Sequence, residues 1–144
     1  MSDPRVPASV RARVAARAGH RCEYCRCPEA FSASPFCVEH ITPVSRGGGS
    51  GVSNLAFSCA GCNAHKYDRV TGMDPLSGDE APLYHPRKQR WEDHFVWSAD
   101  SLEVIGLSRT GRATTETLCL NRRNIRNLRR LLIAVGEHPP ESAP

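Results

Sequence analysis

The sequence predicts a single α+β domain, and three observations support that prediction. Two C-x-x-C pairs, Cys22/Cys25 and Cys59/Cys62, have 33 residues between them. Those residues alternate short β-prone runs with a glycine-rich loop, and a helix-like run overlaps the second pair. Helical patterns also lie near both ends of the chain. Strand, loop, strand and helix within one short stretch are typical of a small mixed fold.

The length of 144 residues is about that of one domain, so we expect one folded unit over 8–138. Its core motif would span 20–70 and its extension 72–138. The ends, 1–7 and 139–144, are rich in proline and small polar residues, so we expect them to be disordered.

The composition narrows the class of protein. The longest apolar run is far too short to cross a membrane, and no charged-then-apolar leader opens the chain. We therefore expect a soluble, cytoplasmic protein without a membrane partner. The net charge of +4 permits nucleic-acid binding without requiring it. No heptad pattern indicates an oligomer, so a monomer is the default expectation.

The seven cysteines favour a metal site over disulfides, because the count is odd and the cytosol is reducing. The two C-x-x-C pairs match a tetrahedral four-thiolate zinc site, with redox or disulfide chemistry as the alternative. Cys27 could replace Cys25 as a ligand. Cys37 and Cys119 fit buried free thiols better. A closed four-thiolate site has no open position, so the zinc would be structural.

The first half of the chain has four predicted elements. Apolar residues at intervals of four and a glycine stop at Gly19 predict a helix that leads to the first cysteine pair. We expect strands over 35–41 and 55–59, joined by a loop over 43–54. A helix over 61–70 would follow and end at Gly72.

The second half is less regular. Residues 72–90 contain three prolines and predict an ordered, turn-rich excursion. The aromatic run 90–97 should pack into the core. Residues 102–120 predict a β-hairpin that turns at Thr110 and Gly111.

The last element is a basic amphipathic helix over 121–136, for which Asn121 is the expected cap. Its predicted apolar stripe consists of Ile125, Leu128, Leu131, Leu132 and Val135. Five arginines flank that stripe, which is more than solubility requires: Arg122, Arg123, Arg126, Arg129 and Arg130. We expect Arg122, Arg126 and Arg129 to contact a nucleic-acid backbone, although an ordinary solvated helix face is the alternative.

Residues 20–70, read as "CEYC…VEHITPVSRGGG…NL…SCAGCNAHK", resemble the HNH family of nucleases. These proteins have a ββα-metal fold that C-x-x-C zinc knuckles stabilise. The resemblance implies a metal-dependent endonuclease that acts on nucleic acid, with double-stranded DNA as the expected substrate. The motif in this chain is His-Asn-Asn, formed by His40, Asn54 and Asn63.

The resemblance assigns a role to each motif residue. His40 is the implied general base, and histidine suits that task because its ordinary pKa of about 6.5 lies near neutral pH. Glu39 and Asn63 are the implied ligands of a catalytic Mg²⁺, Mn²⁺ or another divalent ion, which prefers oxygen ligands. Asn54 is implied to orient His40 and to hold the loop.

Strand geometry sets a condition on this mechanism. Neighbouring residues of a regular strand point to opposite faces, so Glu39 and His40 could not both address one phosphate. We therefore expect the strand to end or bulge at this pair.

Helix geometry sorts the residues that follow. Asn63 and Lys66 share a face, so we expect Lys66, with Arg69 and with Arg46 in the loop, to bind phosphate. His65 lies about 200° around the helix from Asn63 and is not expected to bind the same ion.

A second function class fits the same scaffold. A zinc-stabilised nucleic-acid-binding module would keep the cysteines and arginines but would not need Glu39, His40 and Asn63 together. Their joint presence favours the enzyme.

Overall fold

The computed structural model describes residues 6–141. The predicted disorder at 1–5 and 142–144 lies outside the described residues, and Val6 is packed in the core instead. The described part contains helices and three two-stranded antiparallel sheets, which confirms the α+β class. No helix within it is long and apolar enough to cross a membrane.

The strand, loop, strand and helix order is confirmed. Strand β1 (Cys37–His40) pairs antiparallel with β2 (Leu55–Ser58), and helix α2 (Ala60–Lys66) follows directly. Helix α1 (Ala8–Arg17) packs on β2, and every residue of β2 is buried. The hairpin is therefore enclosed from one side and carries the loop at its open end.

Helix α2 is shorter than the sequence predicts. It ends at Lys66 because Tyr67 adopts a positive φ of 51°. The prediction that Gly72 ends the helix is wrong, since Gly72 lies within β3 (Thr71–Met73). Strand β3 pairs with β4 (Glu80–Pro82), so part of the expected excursion is a hairpin.

The segment after Pro82 contains a short helix and the third of the three sheets. Helix α3 (Trp91–His94) runs into β5 (Phe95–Trp97), which pairs with β6 (Val104–Gly106). Trp91 and Phe95 are buried, as the aromatic run predicts.

The predicted hairpin at Thr110 and Gly111 is wrong, because these residues lie in helix α4 (Arg109–Thr117). The Ser108 hydroxyl caps this helix by accepting a hydrogen bond from the Gly111 N–H, 3.0 Å away. A Cβ at Gly111 would lie 2.0 Å from the His94 carbonyl oxygen. The glycine therefore allows the helix to approach the end of α3 and is not a turn residue.

Helix α5 (Arg123–Ala134) is the predicted C-terminal helix. Asn121 does not cap it, since the Asn121 side chain hydrogen-bonds to both backbone groups of Val104. The apolar stripe is narrower than predicted: Leu132 is buried, whereas Leu131 is 68% exposed.

Candidate functional site

The four cysteines of the two C-x-x-C pairs meet in the interior. Cys22, Cys25, Cys59 and Cys62 are buried, and their Sγ atoms all lie within 4.8 Å of one another. Four thiolates around a tetrahedral zinc at a Zn–S distance of about 2.3 Å would be ~3.8 Å apart. The Cys25 and Cys59 Sγ atoms are 3.7 Å apart, so the donor set fits zinc.

The surroundings of the sulfur atoms also suit a thiolate cluster. The backbone N–H groups of Cys25 and Cys62 point at the first sulfur of each pair, at 3.5 and 3.4 Å. The Arg122 guanidinium donates to the Sγ atoms of Cys59 and Cys62 at 3.5 and 3.6 Å. A positive group beside the cluster offsets the negative charge that four thiolates place on zinc.

Cys27 lies next to the cluster without belonging to it. Its Sγ is 3.3 Å from the Cys25 Sγ, but the compact set of four contains Cys25. The structure therefore favours Cys25 as the ligand and leaves Cys27 as a buried neighbour.

His40 occupies the last position of β1, on its partly exposed face. Its Nε2 atom is 3.0 Å from the Ser50 hydroxyl. Ser50 belongs to the glycine-rich loop that returns to β2. The loop thus orients the imidazole at the mouth of the hairpin.

Asn54 closes this loop. Its Oδ1 accepts a hydrogen bond from the Thr42 N–H at 2.9 Å, and its Nδ2 donates to the carbonyls of Thr42 and Gly49. Gly48 lies so close that a Cβ there would be 1.7 Å from the Thr42 carbonyl oxygen. Asn54 therefore holds the loop in the way that the resemblance implies, and Gly48 makes its closed shape possible.

Strand β1 ends at His40, as expected, but no bulge separates Glu39 from His40. The register with β2 is continuous through both residues, where Glu39 faces Ala56 and His40 faces Leu55. Glu39 consequently points inward and is 5% exposed. Its carboxylate accepts hydrogen bonds from the Tyr24 hydroxyl and from the Lys66 ammonium.

The expected role of Lys66 also needs correction. Its Nζ lies 3.0 Å from the Glu39 carboxylate and 2.9 Å from the Ile41 carbonyl oxygen. With 1% of its surface exposed, Lys66 is an interior ion-pair partner and does not face a phosphate. Burial raises the pKa of Glu39, and the Lys66 charge and the Tyr24 hydrogen bond oppose that rise.

The remaining predicted residues are more accessible. Asn63 is half-buried on α2, and Arg46 and Arg69 are exposed. Arg46 donates to the Asp68 carbonyl at 2.6 Å and Arg69 to the His65 carbonyl at 2.9 Å. These two guanidinium groups lie near the end of α2.

As placed, the predicted ligands do not form a site for a second divalent ion. Of the two predicted ligands, Glu39 is enclosed by its ion pair with Lys66. Within residues 6–141, the thiolate cluster is the one group of three or more histidine, cysteine or acidic residues arranged to hold a metal. Asn63 is the accessible oxygen donor that remains.

Two of the three expected nucleic-acid contacts on the last helix are internal. Arg129 is 1% exposed and donates to the carbonyls of Leu102 and Leu120. Arg122 faces the thiolates, as described above. Arg126 is half-buried and lies 3.9 Å from the Glu103 carboxylate. The expectation that Arg122 and Arg129 bind a backbone is therefore wrong.

Sequence reasoning missed Tyr24 and Ser50, and it assigned Arg122 to nucleic acid instead of to the thiolates. Tyr24 lies inside the first knuckle, where its polar end needed a buried partner. Ser50 is one of several small residues in a loop, so no sequence signal singled it out. Arg122 precedes the last helix, and its contact with Cys62 spans 60 residues of chain.

Comparison with protein-family models matches residues 22–69 with the HNH endonuclease family. The match runs from the first cysteine ligand to just beyond α2 and includes both knuckles, the hairpin and its loop. It confirms the resemblance seen in the motif over these residues. No curated protein and no solved structure matches the chain in the corresponding searches. The HNH domain marks this region as a nuclease-type or nucleic-acid-binding module.

Proposed function

We propose that this HNH-domain protein is an endonuclease that hydrolyses phosphodiester bonds in double-stranded DNA. The observation that carries the proposal is the end of β1, where a partly exposed His40 is oriented by Ser50. The family match over 22–69 supports the reaction class. The zinc cluster would fix the start of α2 relative to the hairpin and would take no part in the chemistry.

His40 would act as the general base. A water molecule that attacks phosphorus gives up a proton, which the neutral imidazole accepts, while the bond to the leaving oxygen breaks. Asn54 is a positioning residue in this scheme, because its hydrogen bonds hold the loop that carries Ser50. Arg46 and Arg69 would contact the phosphate oxygens near the end of α2.

The family match implies a hard divalent ion such as Mg²⁺ or Mn²⁺, which would stabilise charge on the phosphoryl oxygens when bound. Of the two predicted ligands, Asn63 is the accessible one in the part of the chain that the structure describes, and it supplies an amide oxygen. His40 and its loop therefore carry catalysis, and nicking assays with Mg²⁺ and with Mn²⁺ measure the contribution of an added ion.

One observation favours a second function, a zinc-stabilised nucleic-acid-binding module without catalysis. The buried ion pair between Glu39 and Lys66 removes the carboxylate that a catalytic ion would use. A module that only binds would have no need of an accessible carboxylate at that position.

Plasmid nicking by the zinc-loaded protein tests the proposal, with Mg²⁺ and Mn²⁺ added in turn. We expect His40→Ala to slow nicking by about 10²- to 10⁴-fold, the usual contribution of a general base. His65→Ala is the matched control, because His65 is an exposed histidine on α2 and should leave the rate unchanged. Zinc content and thermal unfolding of both variants would show that the fold is intact.

Two results separate the candidate functions. Nicking by His40→Ala at the wild-type rate would refute the role of His40. DNA binding by the wild-type protein with no nicking in either ion would identify the binding module.

A further inference from the structure

A groove of about 940 Å³ lies on the zinc side of the domain. Its walls come from the end of α1, the first knuckle, the segment 84–97 and the described C-terminal residues. Five arginines line it, against three glutamates: Arg17, Arg21, Arg26, Arg87 and Arg90, with Glu23, Glu92 and Glu141. The arginines come from separate parts of the chain, so the charge is assembled by the fold.

Two of these arginines have carboxylate partners. Arg87 is ion-paired with Glu23, which also accepts a hydrogen bond from the Phe57 N–H. Arg21 lies 3.8 Å from the Glu137 carboxylate.

The other three, Arg17, Arg26 and Arg90, have no carboxylate partner among residues 6–141. The groove thus keeps a local excess of positive charge that an anion would compensate.

The groove has a rigid aromatic floor. The Arg26 guanidinium lies over the Trp91 ring, 5.1 Å from its centroid. Trp91 packs against Phe95 and Trp97 at centroid distances of 5.0 and 5.3 Å. Because Trp91 is 5% exposed, it supports the guanidinium and is not itself a stacking surface for bases. The chemistry offered to a ligand is therefore that of fixed guanidinium groups, which suits phosphate oxygens.

One wall of the groove touches the loop of the candidate site. Arg17 donates to the carbonyls of Val52 and Leu55 at 3.0 and 2.7 Å. Leu55 is the residue that faces His40 across the hairpin. Arg17 therefore joins the groove to the hairpin whose end carries His40.

We propose that this groove binds the phosphodiester backbone of DNA beside the scissile bond, with Arg26 and Arg90 as the principal contacts. The proposal rests on the proposed function for the identity of the strand. Contacts of this kind are independent of sequence and weaken with salt. Among the C-terminal arginines, Arg122 and Arg129 are committed to internal contacts, and the groove offers an alternative surface for DNA.

The test is fluorescence anisotropy of a labelled DNA duplex with the zinc-loaded chain, without added Mg²⁺ or Mn²⁺ so that no cleavage occurs. Each lost phosphate contact makes the negative slope of log K against log salt less steep by about 0.9. For Arg26→Gln with Arg90→Gln we expect a slope that is less steep by about 1.8. At ~0.1 M salt we expect an affinity on the order of 50-fold weaker.

The matched control is Arg109→Gln with Arg123→Gln, which removes the same charge from two exposed arginines outside the groove. We expect the control to bind within a few-fold of wild type. Arg90→Gln alone, at an exposed position, should weaken binding by roughly 8-fold. This single variant keeps the test decisive if the double variant does not fold.

Equal loss in both pairs, or no loss in the groove pair, would overturn the proposal. Its failure can be told apart from failure of the endonuclease. A chain that needs Arg26 and Arg90 for binding but never nicks plasmid supports the groove and refutes the enzyme. Nicking that depends on His40, together with DNA binding that the groove variants leave unchanged, supports the endonuclease and refutes the groove.

Discussion

Replacing Lys66 by methionine tests whether Glu39 and Lys66 form a structural pair. The two charged atoms are 3.0 Å apart, and the side chains of Lys66 and Glu39 are 2% and 4% exposed. Lys66→Met leaves the Glu39 carboxylate buried with the Tyr24 hydroxyl as its remaining side-chain partner. Breaking a buried pair in this way costs about 3–5 kcal/mol. That is a large part of the ~5–15 kcal/mol by which domains are usually stable.

Removing both charges should restore most of that loss. In Glu39→Gln with Lys66→Met, no ionised group remains buried at the site, and such replacements are often close to neutral. The two single variants and the double variant form a cycle. We expect a coupling free energy of at least ~2 kcal/mol, measured by denaturant unfolding of the zinc-loaded proteins.

The pH dependence of Lys66→Met has a definite sign. Burial, the largest effect, raises the pKa of Glu39 above its ordinary value of 4.5, and Lys66 opposes the rise. Without Lys66 the pKa rises further. In the unfolded chain Glu39 then ionises at its ordinary pKa, whereas in the folded chain it keeps its proton up to the raised pKa. Between these two pKa values the free energy of unfolding falls as pH rises. Relative to wild type, the variant should lose more stability at about pH 7.5 than at about pH 5.5.

The result that would refute this reasoning is equally definite. Lys66→Met with wild-type stability, or a double variant no more stable than Lys66→Met, would show that the pair does not stabilise the fold. A well-folded double variant that no longer nicks plasmid, beside an active wild type, would return Glu39 to the role of metal ligand.

Two further predictions concern the zinc cluster and the loop. Arg122→Met should weaken zinc binding by about 10- to 100-fold in chelator competition, because the guanidinium that offsets the thiolate charge is lost. Arg123→Met is the control. Equal zinc affinity of the two variants would contradict the role assigned to Arg122. Asn54→Ala removes three hydrogen bonds to Thr42 and Gly49, so it should lower the free energy of unfolding by ~1–3 kcal/mol and slow nicking while zinc content stays normal. Unchanged nicking by a destabilised Asn54→Ala protein would separate the loop from catalysis.

The core motif was predictable because its signals are local. Two residues between cysteines set the bite of a knuckle, and a β-prone run of four or five residues can form little but a strand. The order of β1, loop, β2 and α2 followed from such signals, as did the choice of Cys22, Cys59 and Cys62 as thiolate ligands. The sequence did not distinguish Cys25 from Cys27, because both are close enough along the chain to bind and the fold alone separates them.

The extension was predicted less well because long-range contacts override its local signals. Threonines and glycine in 109–117 favour strand or turn, yet α4 forms there. Thr114 and Thr115 satisfy their hydroxyls on the carbonyls four residues back, and Gly111 lets the helix approach the His94 carbonyl. The His94 carbonyl lies outside this segment, and so does the Tyr84 N–H that donates to the Thr114 hydroxyl. Neither of these two partners could be identified from the segment alone.

The condition on Glu39 and His40 shows how a correct rule was joined to a wrong premise. Alternation along a strand was sound physics, and β1 obeys it up to its end at His40. The error lay in assuming that both residues had to serve one phosphate. The buried partners, Tyr24 and Lys66, give the inward carboxylate a different use that the motif could not reveal.

The C-terminal arginines are a second case in which buried contacts changed the expected role of a residue. Five arginines in and beside one helix suggested a nucleic-acid contact, but a guanidinium can also satisfy buried carbonyls and thiolates with its five donors. Arg129 does the first and Arg122 the second. The number of arginines therefore overstated how many face solvent, since Arg123 and Arg130 are exposed whereas Arg122 and Arg129 make internal contacts. The fold gathers uncompensated arginines in the groove beside Arg17, and a comparison of the groove and control variants in the same binding assay decides whether that is where DNA binds.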